Sequence, residues 1–308
     1  MKIVFAGTPE FAAVSLEALM GAGYDVTLVL TQPDRPAGRG RRQQAPAVKQ
    51  LAHAHGLPLL QPLTLTDEAV LRAVTTAKAD AMVVAAYGLM VPRSLLGLTA
   101  RGSLNVHASL LPRWRGAAPI QRALLAGDVE TGVTIMKMNE GLDTGPVLLR
   151  QAVPIASDDT AGSLHDKLAA LGARLLLRAL AEAPAPRPQN EREATYAARI
   201  AKGEAEIDWA RTAQEIGRQV RAFDPTPGAQ TRLAGAMLKV WRARPEHGPV
   251  GAPGTICSAD AGGILVACGS EALRILELQR AGGRRMSAEA FLSGFKLARD
   301  AAFGSGRG

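Results

Sequence analysis

The chain opens with Lys2-Ile-Val-Phe-Ala6, a short apolar run typical of a buried strand. The turn Gly7-Thr-Pro9 then leads into a helical pattern, and a second apolar run at 26–31 predicts the next strand. Further helical stretches alternate with apolar strands predicted at Ala81–Ala85 and Ser103–His107. This alternation predicts an α/β fold with a doubly wound, mostly parallel, Rossmann-like sheet.

A proline-rich break follows at Ala183-Pro-Ala-Pro-Arg-Pro188, where alternating prolines forbid a helix. Beyond it, short strand-like segments are separated by glycine turns, which favours a small β-barrel or sandwich. Of the two, we predict a smaller C-terminal β-barrel of OB-like type. We therefore predict a first domain at 1–188, a linker at 189–207 and a C-terminal barrel at 208–308.

The composition is that of a globular protein, with 47% hydrophobic and 21% charged residues in 308. No apolar run reaches the roughly 20 residues that span a bilayer, and no signal peptide is apparent, so we expect a cytoplasmic protein without a membrane partner. The two cysteines lie in no metal-ligand pattern, and we expect them to be unlinked core thiols. No phosphate-binding glycine motif occurs, and we expect neither a metal nor a nucleotide cofactor.

The formal charge of +8 favours a polyanionic partner such as nucleic acid. There are 19 Lys/Arg and 15 Asp/Glu before residue 190, and 17 and 13 from there on. The excess is thus spread over both parts, which favours a partner that touches two domains.

Chemistry is concentrated in Asn105-Val-His107-Ala-Ser-Leu-Leu-Pro112-Arg-Trp-Arg115-Gly-Ala-Ala-Pro119, followed by Asp143-Thr-Gly145. Alternation along a strand places Asn105 and His107 on one face at the strand's carboxyl end, where ligands collect in open α/β sheets. The three side chains supply an amide donor, a titratable ring and a carboxylate, but no obvious nucleophile. They suit direct attack by a substrate amine on a bound acyl donor, without a covalent enzyme intermediate.

These residues, with other segments, resemble the folate-dependent formyltransferases, in particular those that act on a tRNA. The similarity runs nearly end to end. It is carried by Phe5-Ala-Gly-Thr-Pro9, Thr31-Gln-Pro-Asp-Arg-Pro-Ala-Gly-Arg-Gly40, Tyr87-Gly88, Asn105 through Gln121, Gly132-Val-Thr-Ile135, Gly141-Leu-Asp-Thr-Gly145, Ile207-Asp-Trp209, Arg221-Ala-Phe-Asp-Pro225, Lys239-Val-Trp241 and Met286-Ser-Ala288.

The resemblance implies transfer of a formyl group from 10-formyltetrahydrofolate, as co-substrate, to the α-amine of methionine on initiator tRNA, for translation initiation. It implies catalytic roles for Asn105, His107 and Asp143. We expect Asn105 and a His107 N–H to stabilise the oxyanion, and Asp143 to orient His107 and help remove the amine proton. The base is His107, Asp143 or an ordered water, and the sequence leaves that choice open.

The resemblance also implies that 1–188 is the catalytic domain, that the C-terminal barrel at 208–308 binds tRNA, and that particular residues contact the two substrates. Those expected at the folate are Tyr87, Gly88, Leu89, Val91, Ser109, Leu110, Leu111, Pro112, Asn139, Glu140 and Gly141. Those expected at the tRNA are Arg35, Arg39, Arg41, Arg42 and Lys202, most of them in an arginine-rich segment among glycines and prolines. We expect a monomer.

Other activities use the same trio of residues. The enzymatic alternatives are formylation of glycinamide ribonucleotide, formylation of sugar nucleotides and hydrolysis of formyltetrahydrofolate. The non-enzymatic alternative is a protein that binds tRNA without catalysis. The arginine-rich segment and the basic C-terminal part favour the tRNA substrate.

Overall fold

The computed structural model describes residues 1–37, 42–248, 251–295, 297 and 301–304. The described chain divides into two compact units. The first unit comprises Met1–Pro119, Glu130–Pro154 and His165–Ala197, and the second comprises Ile120–Val129, Ile155–Leu164 and the chain from Ala198. The change of unit after Ala197 falls inside the predicted linker at 189–207, whereas the domain limits on either side of it stay predictions.

The elements are numbered in chain order. The strands are β1 (Lys2–Gly7), β2 (Asp25–Leu30), β3 (Arg35–Ala37), β4 (Arg42–Gln44), β5 (Leu59–Leu60), β6 (Ala81–Ala85), β7 (Ser103–His107), β8 (Arg115–Gly116), β9 (Glu130–Lys137), β10 (Val147–Pro154), β11 (Tyr196–Ala197), β12 (Ala229–Leu233), β13 (Ala236–Glu246), β14 (Ile256–Asp260), β15 (Gly263–Ala267), β16 (Ala272–Arg280), β17 (Arg285–Ser287) and β18 (Phe303–Gly304). The helices are α1 (Glu10–Gly21), α2 (Ala47–Ala54), α3 (Glu68–Thr76), α4 (Arg93–Leu96), α5 (Pro119–Ala126), α6 (Ala161–Glu182), α7 (Ala213–Ala222) and α8 (Ala288–Gly294).

The first unit is built on a seven-stranded sheet in the order β10-β9-β7-β6-β1-β2-β5. The five strands from β7 to β5 are parallel, and β9 and β10 are antiparallel additions at one edge. β1 lies between β2 and β6, so its side chains from Ile3 to Ala6 are fully buried. The mostly parallel, doubly wound sheet predicted from the sequence is therefore confirmed, and the carboxyl ends of β1, β6 and β7 share one edge.

The second unit contains a seven-stranded antiparallel sheet ordered β14-β15-β16-β13-β12-β18, with β17 paired to β16. The two ends of this sheet meet, because the amide of Phe303 donates to the Gly254 carbonyl at 2.8 Å. Trp209 stacks on Phe303 with ring centroids 5.5 Å apart, and its Nε1 donates to Thr231 Oγ1 at 2.9 Å. The curled sheet confirms the predicted smaller β-domain.

Helical periodicity from residue 208 predicts a helix that starts earlier than α7 does. The helix begins only after Thr212. The Thr212 side chain accepts from the Glu215 amide at 3.1 Å, and Glu215 Oε2 accepts from the Thr212 amide at 3.0 Å. This reciprocal capping box makes Thr212 the residue before the helix. The capping bonds to Thr212 and the adjacent Arg211 lower the pKa of Glu215 to about 2.

Replacing Glu215 with glutamine is expected to lower the free energy of unfolding at neutral pH by about 0.5–1 kcal/mol, since the cap loses its charge. The folded pKa lies below the unfolded value near 4.5, so the carboxylate stabilises the fold above pH 4.5 and loses that effect as the pH falls toward 2. Urea unfolding of both proteins across this window measures the difference. A difference that stays the same from neutral pH to pH 2 would contradict the assignment.

Some features differ from expectation. The sequence pattern does not indicate β10, β12 or α8. Cys268 is a buried free thiol, and burial raises its pKa to about 11, but Cys257 is partly exposed and is not the core thiol expected. Over the described residues, no helix has the length and apolar character required to cross a membrane.

Candidate active site

Strand β7 carries the two polar side chains predicted to converge. It pairs with β6 on one side and with β9 on the other, and its register sets Asn105 opposite Met136 and His107 opposite Thr134. Asn105 and His107 retain only 9% and 6% exposure. Two polar groups are thus held on a buried strand at its carboxyl end, a position that favours a ligand over simple packing.

Asp143 joins them from the turn between β9 and β10. Its Oδ1 accepts from Asn105 Nδ2 at 3.2 Å, its Oδ2 accepts from the Gly116 amide at 2.8 Å, and the same oxygen lies 3.6 Å from His107 Nδ1. The backbone of Asp143 adopts a left-handed conformation with φ of 52°. The structure therefore brings the three predicted catalytic side chains together.

The imidazole of His107 is held at its other nitrogen. His107 Nε2 lies 2.9 Å from the carbonyl oxygen of Trp114, a residue that itself has a φ of 63°. A carbonyl can only accept, so this contact assigns the proton of the neutral ring to Nε2 and leaves a lone pair on Nδ1, facing Asp143. An N–H of His107 for the oxyanion stays a prediction, because in this arrangement the Nε2 proton is directed at Trp114.

Thr134 fixes the segment after β7, and sequence reasoning assigned it no role. Its fully buried hydroxyl donates to the Ser109 carbonyl at 2.7 Å and accepts from the Leu111 amide at 3.1 Å. Ser109 Oγ in turn donates to the Arg113 carbonyl at 2.6 Å. The only sequence signal for Thr134 was its place in the segment Gly132-Val-Thr-Ile135.

The predicted folate residues of this segment are mostly enclosed. Ser109, Leu111 and Pro112 are buried and Leu110 is half-buried. A ligand at this segment would therefore contact mainly backbone groups rather than side chains.

The predicted folate residues Tyr87, Gly88, Leu89 and Val91 follow β6. Tyr87 and Val91 are buried in the core of the first unit, while Leu89 is only partly buried against that core. The Tyr87 carbonyl accepts from Thr8 Oγ1 at 2.8 Å, and burial raises the pKa of the Tyr87 hydroxyl to about 12. Gly88 has a φ of 89°, a conformation that glycine adopts without strain.

The predicted folate residues Asn139, Glu140 and Gly141 lie in a turn that the Asn139 side chain stabilises. Asn139 Oδ1 accepts from the Gly141 amide at 3.2 Å and from Thr144 Oγ1 at 2.8 Å. Glu140 Oε1 lies 3.2 Å from Arg93 Nε at the start of α4. That ion pair connects the turn to the chain just after residue 91, so these two groups of predicted folate residues border one region of the first unit.

Arg115 belongs to the motif that follows His107, but no role was predicted for it. In the structure it is buried and donates hydrogen bonds to two residues of a distant segment. Its side chain has no exposed surface, and it donates to Glu191 through Nη1 and Nη2, each at 2.8 Å. It also donates to Gln189 Oε1 from Nε at 3.1 Å and from Nη2 at 2.8 Å. The hydrogen bonds from Arg115 lower the pKa of Glu191. Neither Gln189 nor Glu191 was predicted, because no local pattern links them to a residue 74 and 76 positions earlier.

The predicted tRNA residues are only partly described. Strands β3 and β4 form a short hairpin in which Ala37 pairs with Arg42. Arg35 is exposed, and its Nη2 donates to Gln32 Oε1 at 2.8 Å. Arg39 and Arg41 lie outside the described residues. Lys202 is exposed at the start of a short 3-10 turn in the second unit.

Asp34, just before the arginine-rich segment, is held by hydrogen bonds. Its Oδ1 accepts from Gln61 Nε2 at 2.8 Å, and both of its oxygens accept from Lys49 Nζ at 2.9 Å. These bonds, that from Gln61 first, lower the pKa of Asp34. Within the part of the chain that the structure describes, no group of three or more His, Cys, Asp or Glu side chains is arranged to hold a metal ion.

Comparisons with known proteins agree over both parts of the chain. Residues 1–180 match the formyl transferase family, and residues 199–296 match the formyl transferase C-terminal domain. The chain is 54% identical over 299 residues to a methionyl-tRNA formyltransferase of Dechloromonas aromatica, with 97% of each chain covered. It is 57% identical over 302 residues to the methionyl-tRNA formyltransferase of Thiobacillus denitrificans, with 96% of this chain and 97% of the relative covered.

A crystal structure of HypX from Aquifex aeolicus in complex with tetrahydrofolic acid has the same fold. The TM-score is 0.66 at 17% identity, over 98% of this chain and 50% of that protein. The sequence matches span both the α/β part and the C-terminal part. This chain belongs to the formyl transferase family.

Proposed function

We propose that this enzyme transfers the formyl group of 10-formyltetrahydrofolate to the α-amino group of methionyl-initiator tRNA, giving N-formylmethionyl-tRNA. The observation that carries the proposal is the shared contact of Asp143 with Asn105 and His107. The names of the relatives, at 54% and 57% identity over nearly the full chain, support the choice of substrate.

The reaction begins when the neutral amine attacks the formyl carbon. A C–N bond forms and the formyl oxygen gains negative charge, which an N–H donor stabilises. Of the two N–H groups on Asn105 Nδ2, one is directed at Asp143 and the other remains for that oxygen. Asp143 thus orients the amide that serves as oxyanion donor.

The proton released by the amine goes to the His107–Asp143 pair. His107 Nδ1 holds a lone pair beside Asp143 Oδ2, and a proton taken up there creates an imidazolium next to a carboxylate. The intermediate then collapses: the C=O bond re-forms, the bond to N10 of the folate breaks, and N10 receives the proton held by the His107–Asp143 pair, which returns to its starting state. Because the two groups are in contact, we assign the base to the pair rather than to either residue.

The direct test is formyl transfer from 10-formyltetrahydrofolate to methionyl-initiator tRNA, followed by mass detection of the hydrolysed amino acid. Formylmethionine from the natural protein, and little from an Asn105→Ala variant, is the expected result. Formylation of another amine, or release of formate alone, would overturn the substrate and keep the folate chemistry. Absence of any folate turnover would overturn the activity.

For the tRNA, we propose contact by the arginine-rich segment, Arg35, Arg39, Arg41 and Arg42, and by Lys202, on a protein that acts as a monomer. Replacing Arg42 with alanine is expected to weaken use of the tRNA and to reduce the slope of log affinity against log salt by about 1, since one phosphate contact is lost. Filter binding over a salt series measures the slope.

An Arg72→Ala variant is the matched control for Arg42. Arg72 is an exposed arginine on α3 that pairs with Glu68 at 2.9 Å, and it should leave the salt slope unchanged. Folate affinity should be the same in both variants. Equal loss of folate affinity in the Arg42 variant would show that the segment acts on the folate site instead.

A further inference from the structure

Asp143 is held through its backbone as well as its side chain. Its carbonyl oxygen accepts from Gln189 Nε2 at 2.8 Å, and the carbonyl of Gly145 accepts from the same nitrogen at 2.7 Å. Both N–H groups of the Gln189 amide are therefore used on the two sides of Thr144. The turn that presents Asp143, with its left-handed backbone, is clamped by one side chain.

The direction of the Gln189 amide follows from its partners. Backbone carbonyls only accept and a guanidinium only donates, so Nε2 has to face the turn and Oε1 has to face Arg115. Arg115 contributes two N–H groups to that oxygen, at 3.1 and 2.8 Å. Glu191 accepts from Nη1 and Nη2 of the same guanidinium, so the group that binds the Gln189 oxygen is itself held in place.

The same network reaches Asp143 by a second route. Arg115 and Gly116 form β8, which pairs in parallel with Tyr196 and Ala197 of β11. The amide of Gly116 donates to Asp143 Oδ2 at 2.8 Å. The segment at 189–197 therefore positions both the backbone and the carboxylate of Asp143.

We propose that Gln189 is a positioning residue for formyl transfer, which acts on the reaction through the orientation of Asp143, with Arg115 and Glu191 fixing the Gln189 amide. The inference deepens the proposed function and rests on it for its kinetic consequence, whereas the geometric claim is testable without turnover. Gln189 touches no reacting atom in this assignment.

The test compares Gln189→Glu with the natural protein. The carboxylate keeps the contact with Arg115 but presents an oxygen to two carbonyl oxygens, which pushes the turn away. A Gln189→Asn variant keeps both groups and lacks one methylene, so its amide no longer spans from Arg115 to the turn. Glu193→Gln is the control, since Glu193 lies on the same segment and its carboxylate accepts from Asn190 Nδ2 at 2.6 Å.

The first measurement is hydrogen exchange of the peptide that contains Gly116, in the absence of substrates. Exchange at this amide should accelerate about tenfold or more in both Gln189 variants, because its acceptor is displaced, and peptides from β1 should keep the natural rate. The Glu193 control should match the natural protein throughout. Unchanged exchange at Gly116 in both Gln189 variants overturns the proposal, whatever the enzyme formylates.

The second measurement is steady-state formyl transfer. Loss of the hydrogen-bond partner that orients a metal ligand typically costs 10–100-fold, and we expect an effect of similar size here: kcat falls by about that factor while KM for either substrate stays within about threefold. For Gln189→Glu, the rate relative to the natural protein should rise at acid pH, because the introduced carboxyl group regains one donor when it is protonated. A rise in KM with kcat unchanged would overturn the positioning role. If the natural protein were inactive, the proposed function would be wrong. The hydrogen exchange at Gly116 would then be the test of whether Gln189 holds the turn that carries Asp143.

Discussion

Replacing Asp143 with asparagine is expected to lower kcat for formyl transfer by about 10²–10³-fold or more. The carboxylate accepts from Asn105 and from the Gly116 amide on separate oxygens. An asparagine would have to turn an NH₂ group toward one of these N–H donors, and it would carry no charge to pair with a protonated His107. Both oxyanion stabilisation and proton uptake would suffer together.

The measurement is single-turnover transfer with both substrates saturating, so that weakened binding does not contribute. Asp25→Asn is the matched control, because Asp25 is an exposed carboxylate at the start of β2 and its loss changes the net charge equally. A rate within about threefold of the natural protein would remove Asp143 from the chemistry.

Replacing Gly145 with alanine is expected to have an effect of comparable size on the rate and a larger one on stability. A Cβ at this position would overlap the carbonyl oxygen of Lys137, a backbone atom of β9, which is paired on both sides by β7 and β10. The turn carrying Asp143 must shift instead, and a displacement of about 1 Å in a reactive group is worth roughly 10²-fold in rate. Overpacking of this kind costs about 1–3 kcal/mol in the free energy of unfolding.

Gly21→Ala separates this clash from the general effect of adding a methyl group. Gly21 ends α1, and a Cβ there would meet no atom within 4 Å. We expect that variant to be as stable as the natural protein or slightly more stable, since alanine is the better helix former. Thermal unfolding and the transfer assay on both variants provide the comparison. Normal activity in the Gly145 variant would show that the turn tolerates displacement.

The sheet of the first unit was predictable because its central strands are fully buried and appear in the sequence as continuous apolar runs. β10 was not, because it is an edge strand whose middle residues, Arg150 to Ala152, are exposed, and its pairing with β9 alone defines it. α8 was not predicted because it is only seven residues long and begins after a Ser287 cap, which in sequence resembles an ordinary turn. Tertiary pairing decides such elements, and no local pattern reports it.

The meeting of Asn105, His107 and Asp143 was predictable from strand alternation and from the common edge at which parallel strands end. The contact between His107 and the Trp114 carbonyl was not, since it depends on a left-handed backbone at a tryptophan. Gln189 lies 46 residues after Asp143. Its amide is generic in type, and only the fold brings it to the site.

The separation between Arg115 and its two partners has a consequence for how the protein is made. A ribosome releases the chain from its amino end, so Asn105, His107 and Asp143 emerge well before Gln189 and Glu191. A nascent chain that already holds every reactive side chain still has a guanidinium at Arg115 without the acceptors that make its burial tolerable. The order of synthesis therefore delays completion of the site: the reactive groups are translated first, and the segment that sets their geometry arrives later.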